Sequence, residues 1–479
     1  MSSTALSGLD GRVTGKRLVS LANDGANKRI SMMKILSVCG SIIESLPVRW
    51  PHGLVTLALA VLAAGLAGIF HWVARQQDLD ASMPGFIGAL LLAGILYVTG
   101  VLFVERFRLG ATALLIILAG GVLFRVVLLP ARTTPSDDVY RYQWDGRAQR
   151  AGLNPYAVFP NSPELDWLQN PEHPEPPAEE IPTIYPPLAE IVYRQIETIP
   201  GYKRVSTILD LASVGVLLLL LAAVKQPLHR VLAYAWNPAV LISFAMSGHF
   251  DSLAIVTFLT ALFFLVKNRP ALSMAALALS FLSKFFPLLL LVSFLRRVRL
   301  AYLGIFAFLV VAFYVPFLGA GLHLFDGARN YARDWLNNAT LFHFLLYVTR
   351  SKTGAELLAG LILLAVIGYL IKRQAAPLWS SLILTGGVLL VSPTAYPWYF
   401  TWSIPFLCFY RNAAWLLMSV TCALGYTPAI NYGAGEPLKN SLLMLLLEYG
   451  PVYLWLAYYC WAAGRTKAPT ASREAAVGE

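Results

Sequence analysis

Apolar residues run along most of this chain in blocks of about twenty, separated by short polar or charged turns. A hydrocarbon core of about 30 Å takes about twenty helical residues, and shorter half-helices are tolerated inside protein. The pattern predicts clear spans at 53–73, 85–104, 110–129, 205–224, 300–318, 354–371, 377–392, 413–430 and 441–463. Shorter ones are expected at 231–247, 252–266 and 399–410. The stretch 271–295 is apolar but broken by Lys284 and Pro287, and reads as two short helices forming a hairpin. The expected fold is an all-α polytopic membrane protein with about 12–14 transmembrane segments and short amphipathic helices in its extracytoplasmic loops.

Basic residues in short turns set the orientation. The N-terminal tail holds Arg12, Lys16, Arg17, Lys28, Arg29 and Lys34. Counting alternate sides, the same face receives Arg106/Arg108, Lys225/Arg230, Lys267/Arg269, Arg296/Arg297/Arg299, Lys372/Arg373, Arg411 and Arg465/Lys467. That agreement requires the 271–295 hairpin, which puts Lys284 at an outer turn. Both termini are expected in the cytoplasm, with tails at 1–52 and 464–479 and a transmembrane domain at 53–463. The tail does not read as a signal peptide. The opposite, extracytoplasmic face receives the 130–204 loop, where eleven acidic and seven basic side chains fall.

Composition agrees with that layout. Of 479 residues, 57% are hydrophobic and 13% charged, about half the charge of an ordinary soluble protein. A soluble, disordered or disulfide-rich chain is excluded. The net charge of +11 lies in the cytoplasmic tails and turns, so it implies no nucleic-acid partner. The four cysteines lack paired or metal-like spacing and read as packing residues.

The most informative stretch is 134–156, TPSDDVYRYQWDGRAQRAGLNPY. Ser136 after Pro135 is a good N-cap, with Asp137 and Asp138 in the first helical turn. Asp138, Arg141, Asp145 and Gln149 then form one stripe, and Tyr140, Trp144 and Arg147 another. Gly152-Leu153-Asn154-Pro155 stops the helix. The pattern fits a short helix held flat at the membrane surface. Acidic residues at a helix start also serve simple capping, favoured by the macrodipole. The Pro- and Glu-rich segment 161–180 reads as a mobile insertion.

This stretch, followed by Thr183-Ile184-Tyr185-Pro186-Pro187-Leu188-Ala189-Glu190, resembles the first outer loop of the GT-C glycosyltransferases. It is most similar to the polyprenyl- or dolichyl-phosphate-mannose-dependent mannosyltransferases. Further matches follow in order: Trp236-Asn237-Pro238 with Gly248-His249-Phe250-Asp251, then Lys284-Phe285-Phe286-Pro287, then Ser392-Pro393 with Trp398-Tyr399 and Pro405. The resemblance covers roughly 137–406. Here the two aspartates are adjacent, whereas relatives carry one acidic residue or an acid-x-acid pair. Tyr396 stands where some relatives have histidine.

The resemblance implies a GT-C-type bundle and an inverting transfer of a sugar, with mannose expected, from a polyprenyl-phosphate donor to an acceptor hydroxyl. A glycan or glycolipid of the cell envelope is the expected acceptor. Such chemistry needs a carboxylate within about 3 Å of the acceptor hydroxyl. Asp138 is the first choice and Asp137 the second. The departing phosphate needs a fixed cation. Lys284 is the best candidate, although a lysine near a helix end also snorkels. Arg141, Arg147 and Arg333 are further candidates, since arginine suits bidentate phosphate contact. His249, Asp251, His343 and Tyr399 are expected to bind the donor, with Asp145, Tyr140 and Trp398 in support. Arg125 lies a turn from the outer boundary, where snorkelling explains it, and Asp210 just inside the outer end of its span either orients a cation or merely reaches water. No cofactor or metal is required; a divalent cation on Asp137 and Asp138 is the lesser alternative. No nucleotide-binding fingerprint occurs.

Two other readings remain open: a flippase or transporter of lipid-linked sugars, and a glycan polymerase or ligase. A transporter places ionisable groups near the bilayer midplane in repeated halves, and no repeat is found here. A ligase would depend more on arginines. A bacterial cytoplasmic (inner) membrane is favoured over the endoplasmic reticulum.

Overall fold

The computed structural model describes residues 51–76, 82–107, 109–133, 136–171, 176–295, 297–432 and 441–465. The basic N-terminal tail, Arg108, Arg296, Lys467 and the turn at 433–440 lie outside the described residues. The chain divides into a large unit, His52–Leu456, and a small one made from its ends, Met1–Pro51 and Ala457–Glu479. Of the small unit, Pro51 and the end of the helix Leu442–Arg465 are described.

The large unit is helical, and among the described residues the sole β-type pairing is an isolated bridge between Asn337 and Thr394. Among the described residues, seven helices are long and apolar enough to span a membrane: Gly53–Ala74, Met83–Arg106, Ala111–Leu128, Ile199–Ala223, Leu300–Asp334, Lys352–Lys372 and Ala413–Ile430. The pair Pro238–Met246 and Asp251–Val266 is bent by 120°. Shorter apolar helices are Pro270–Phe281, Thr340–Thr349, Pro377–Val391 and Leu442–Tyr458. An all-α polytopic membrane protein is what the apolar blocks predicted.

Small residues let these helices approach closely. A Cβ on Gly386 would stand 2.0 Å from the Trp415 ring, and one on Gly94 2.2 Å from Val420. Deep in the bundle, Arg125 does not snorkel. It is 1% exposed and pairs with Asp210 at 2.6 Å, while its Nη1 donates to the Gly121 and Ala235 carbonyls. A buried pair of this kind avoids the penalty either charge would incur alone in an apolar interior.

Two local devices shape the region between Trp236 and Pro287. Asn237 caps the short helix Pro238–Leu241, its side-chain oxygen accepting from Ala239 N and Val240 N at 3.0 and 3.3 Å. Its amide also donates to Ser419 Oγ at 3.0 Å. Beyond it the chain passes through a wide turn, Ile242–Met246, and reverses at Gly248, whose φ of +74° glycine adopts without strain. The 271–295 stretch is broken as expected: Pro270–Phe281 ends, Lys284 lies in the turn, and Pro287–Leu290 begins.

Beyond the predicted 300–318 span, a 3-10 segment runs to Phe325 and a helix follows at Asp326–Asp334. Two expectations change. The helix Asp138–Arg150 starts one residue later than expected, with Asp137 at the N-cap position and Ser136 Oγ accepting from Asp138 N at 3.5 Å. It is also no surface helix. Nine of its thirteen residues are buried, among them Arg141, Trp144, Asp145 and Gln149. An amphipathic stripe shows which residues share a face, but a second layer covers the polar face here.

Candidate active site

That covering layer is the short helix Pro187–Arg194. Gly146 makes the close approach feasible, because a Cβ there would sit 2.5 Å from the Tyr193 carbonyl and 2.7 Å from the Tyr202 hydroxyl. Tyr142, Tyr185, Tyr193, Tyr202 and Phe250 pack as a buried aromatic cluster around the joint. Burial, then the neighbouring Tyr185, pushes the Tyr142 hydroxyl well above its usual pKa, so it stays a neutral phenol.

The polar stripe forms an internal network. Arg141 Nε donates to Asp145 Oδ1 at 3.0 Å, and its other nitrogens donate to the carbonyls of Pro177, Ala178 and Ile181. Glu190 accepts from Thr183 Oγ1 at 2.6 Å and from Gln149 Nε2 at 2.7 Å. Burial, then the charge of Asp145, raises the Glu190 pKa well above the ordinary carboxylate range. Arg147 donates to the Leu168 and Gln169 carbonyls. Both arginines therefore hold the 161–180 segment against the helix. The described part of that segment is tied down, and the mobile insertion expected from composition is corrected accordingly. Arg141, and Arg147 through Nη1, are directed at backbone carbonyls and are not presented as phosphate ligands, and Asp145 is the structural partner of Arg141.

Other nominated residues do converge. Asp138 heads its helix with a side chain 24% exposed, and its Oδ2 is 3.4 Å from His249 Nδ1. Tyr142 Oη approaches the same nitrogen at 3.4 Å. The His249 ring stacks on Trp398 with centroids 4.2 Å apart, and Trp398 stacks on Tyr396 at 4.5 Å. Two residues along, Asp251 accepts from Trp402 Nε1 at 2.6 Å and from Lys284 Nζ at 3.2 Å. Lys284 faces the Tyr399 and Tyr185 rings at 5.2 and 5.7 Å, and Tyr399 Oη meets Tyr331 Oη at 2.9 Å. Phe286 and Tyr399 both stack on Trp402. His249 Nε2 and Trp398 Nε1 are buried with no protein hydrogen-bond partner.

Three candidates fall elsewhere. Arg333 is exposed and pairs with its neighbour Asp334 at 2.8 Å. His343 bonds through Nδ1 to the Ala339 carbonyl of its own helical turn. Tyr140 packs against the aromatic cluster. Asp137 is exposed beside Asp138. Sequence reasoning missed Tyr142, Tyr185 and Tyr331. The first two stood inside quoted motifs, while Tyr331 carried no signal. Among the described residues, no group of three or more His, Cys, Asp or Glu is arranged to hold a metal ion.

The Pro393–Trp398 turn is fixed from behind. Asn337 N donates to Pro393 O and Ala395 N to Asn337 O, both at 3.0 Å. Asn338 Nδ2 reaches Ala395 O and the buried Glu448 carboxylate, each at 2.9 Å.

A partly open carboxylate and a lysine, walled by aromatic rings in a helical membrane bundle, make a site of the kind a membrane glycosyltransferase needs. A model of the MptA_B family, described as alpha-(1->6)-mannopyranosyltransferase, N-terminal domain, matches residues 51–298, and the chain belongs to this family. A search of curated proteins found no match. The protein is thus a multi-pass membrane mannosyltransferase, and the resemblance to the GT-C mannosyltransferases holds.

Proposed function

We propose that the protein transfers mannose from a polyprenyl-phosphate carrier to a glycan or glycolipid hydroxyl, with inversion, on the extracytoplasmic face of a bacterial cytoplasmic membrane. The observation that carries this reading is the joining of Asp138 and Lys284 by one bend, through His249 on one side and Asp251 on the other. Asp138 takes the proton of the acceptor hydroxyl as its oxygen attacks the anomeric carbon from the side opposite the phosphate. Lys284 meets the charge that gathers on the phosphate as the glycosidic bond breaks. Its ammonium has three N–H donors, of which Asp251 accepts one, so two remain for phosphate oxygens. The half-buried Tyr396 and Tyr399 offer aromatic surface to the sugar or to the first isoprene units. Basic turns on the other face support the orientation.

The test uses the full-length protein in lipid nanodiscs with labelled polyprenyl-phosphate mannose and an α-mannoside acceptor. Wild-type protein transfers the label and yields an α-linked product from a β-linked donor. Asp138→Asn is expected to lower kcat by about 10²- to 10⁴-fold. Lys284→Met is expected to lower it by about 10²-fold. Transfer at the wild-type rate by both variants would remove this reading. Retention of anomeric configuration would remove the single-displacement step.

A further inference from the structure

The bend Gly248–Asp251 is held more firmly than a span boundary requires. Gly248 occupies a left-handed conformation, and its Cβ position lies 3.2 Å from Lys203 Cγ. His249 N donates to Ser243 O at 2.9 Å, and His249 O accepts from Ser206 Oγ at 2.6 Å. Ser252 Oγ stands 3.2 Å from Ser206 Oγ, and the Phe250 ring is embedded among Tyr142, Tyr193 and Tyr202. From this support His249 and Asp251 reach two different groups. Each Asp251 oxygen already accepts from a protein donor, and the residue is buried at 1% exposure, so it is engaged by the protein and turned away from open space.

We propose that His249 and Asp251 are positioning residues, His249 for Asp138 and Asp251 for Lys284, so that one rigid bend sets the base and the phosphate-binding cation relative to each other. The inference rests on the roles given to Asp138 and Lys284 above. With hydrogen on Nδ1, the His249 ring donates toward Asp138 Oδ2 and leaves Oδ1 to face the acceptor. The separation of 3.4 Å is longer than a formed hydrogen bond. Catalytic contacts of this kind tighten when substrate is bound. Trp398, stacked on the imidazole, fixes its plane. On the other side, Trp402 clamps Asp251, and Asp251 aims Lys284 between the Tyr185 and Tyr399 rings. In the transfer step, the acceptor oxygen bonds to the anomeric carbon and its proton goes to Asp138. The bond from that carbon to the phosphate oxygen breaks, and its electron pair stays with the phosphate. Neither positioning residue is consumed.

The experiment is a kcat and donor KM comparison in nanodiscs with polyprenyl-phosphate mannose. Asp251→Asn is expected to lower kcat about tenfold, and to cost nothing further in a Lys284→Met background. His249→Asn keeps an N–H near Nδ1 and is expected to stay within about threefold of wild type, whereas His249→Leu falls at least about tenfold in kcat with donor KM little changed. An Asp251→Asn loss of the same size with and without Lys284 overturns the proposal, as does an equal loss in His249→Asn and His249→Leu. If Asp251→Asn does not fold, Trp402→Phe removes the indole donor and is compared in the same two backgrounds. Wild-type transfer by Asp138→Asn and Lys284→Met would instead indict the underlying site assignment.

Discussion

Gly146→Ala tests whether the packing of two helices sets the geometry of the site. The added Cβ meets the Tyr193 carbonyl oxygen at 2.5 Å, where ordinary contact begins near 3.4 Å, so the helices must separate by nearly 1 Å. The opposing atoms are backbone, and the nearby Tyr202 hydroxyl is committed to the Tyr142 and Tyr193 carbonyls at 3.0 and 2.9 Å. Overpacking of this kind costs about 1–3 kcal/mol. Asp138 lies two turns along the same helix, so the displacement reaches its contact with His249. A misplacement of about 1 Å costs about 10²-fold in rate, which sets the expected fall in kcat at about 10- to 100-fold. The assay is labelled mannose transfer in nanodiscs, with thermal unfolding followed by intrinsic fluorescence. Gly215→Ala is the control, since that glycine lies in a long helix with nothing within 4 Å of its Cβ position. A Gly146→Ala protein with kcat within twofold of wild type would refute the claim that this joint positions Asp138.

Glu190 carries a raised pKa from burial and the Asp145 charge. Its stabilising contribution is full below the unfolded carboxyl value of about 4.3 and is lost as pH rises through the raised folded value. Unfolding temperature should therefore decline toward alkaline pH in the wild type and decline less in Glu190→Gln; parallel pH curves would contradict this. Arg125→Met leaves Asp210 buried without its partner and is expected to destabilise by about 3–5 kcal/mol, whereas Arg125→Met with Asp210→Leu recovers most of the loss. Detergent-melting curves of the three proteins check it, and a double variant no better than the single one would show that the pair is not the source.

The membrane helices were legible because an apolar block of the right length has few alternatives in lipid. The start of the site helix was legible to within one residue, since Ser136 and Asp137 compete for the same capping position. Convergence of the motifs was legible only as a resemblance. Trp402 and Asp251 are 151 positions apart, and nothing local in either segment states that an indole N–H meets that carboxylate. Arg141 and Arg147 show the opposite failure. They fall on the two separate stripes read from the sequence, but their backbone acceptors are the carbonyls of Leu168, Gln169, Pro177, Ala178 and Ile181, which carry no sequence signature. Glu190 stands at the end of the quoted Thr183–Glu190 motif, but nothing local there states that its carboxylate is buried against Thr183 and Gln149.

The distribution of cations bears on the donor. Of the four nominated for a phosphate, Arg141 and Arg147 are directed at carbonyls, Arg333 pairs with Asp334 in solvent, and Lys284 stands within the site. Two free donors on one ammonium suit the oxygens of a single phosphate. A pyrophosphate leaving group spreads a larger charge over two phosphates and is commonly met by a metal or by several fixed donors. The proposed monophosphate carrier therefore matches the charge the site supplies. Competition makes the point measurable: polyprenyl phosphate should inhibit mannose transfer at concentrations where polyprenyl pyrophosphate and guanosine diphosphate do not. Stronger inhibition by the pyrophosphate would mean that further cations reach the leaving group, and that Lys284 is not its principal partner.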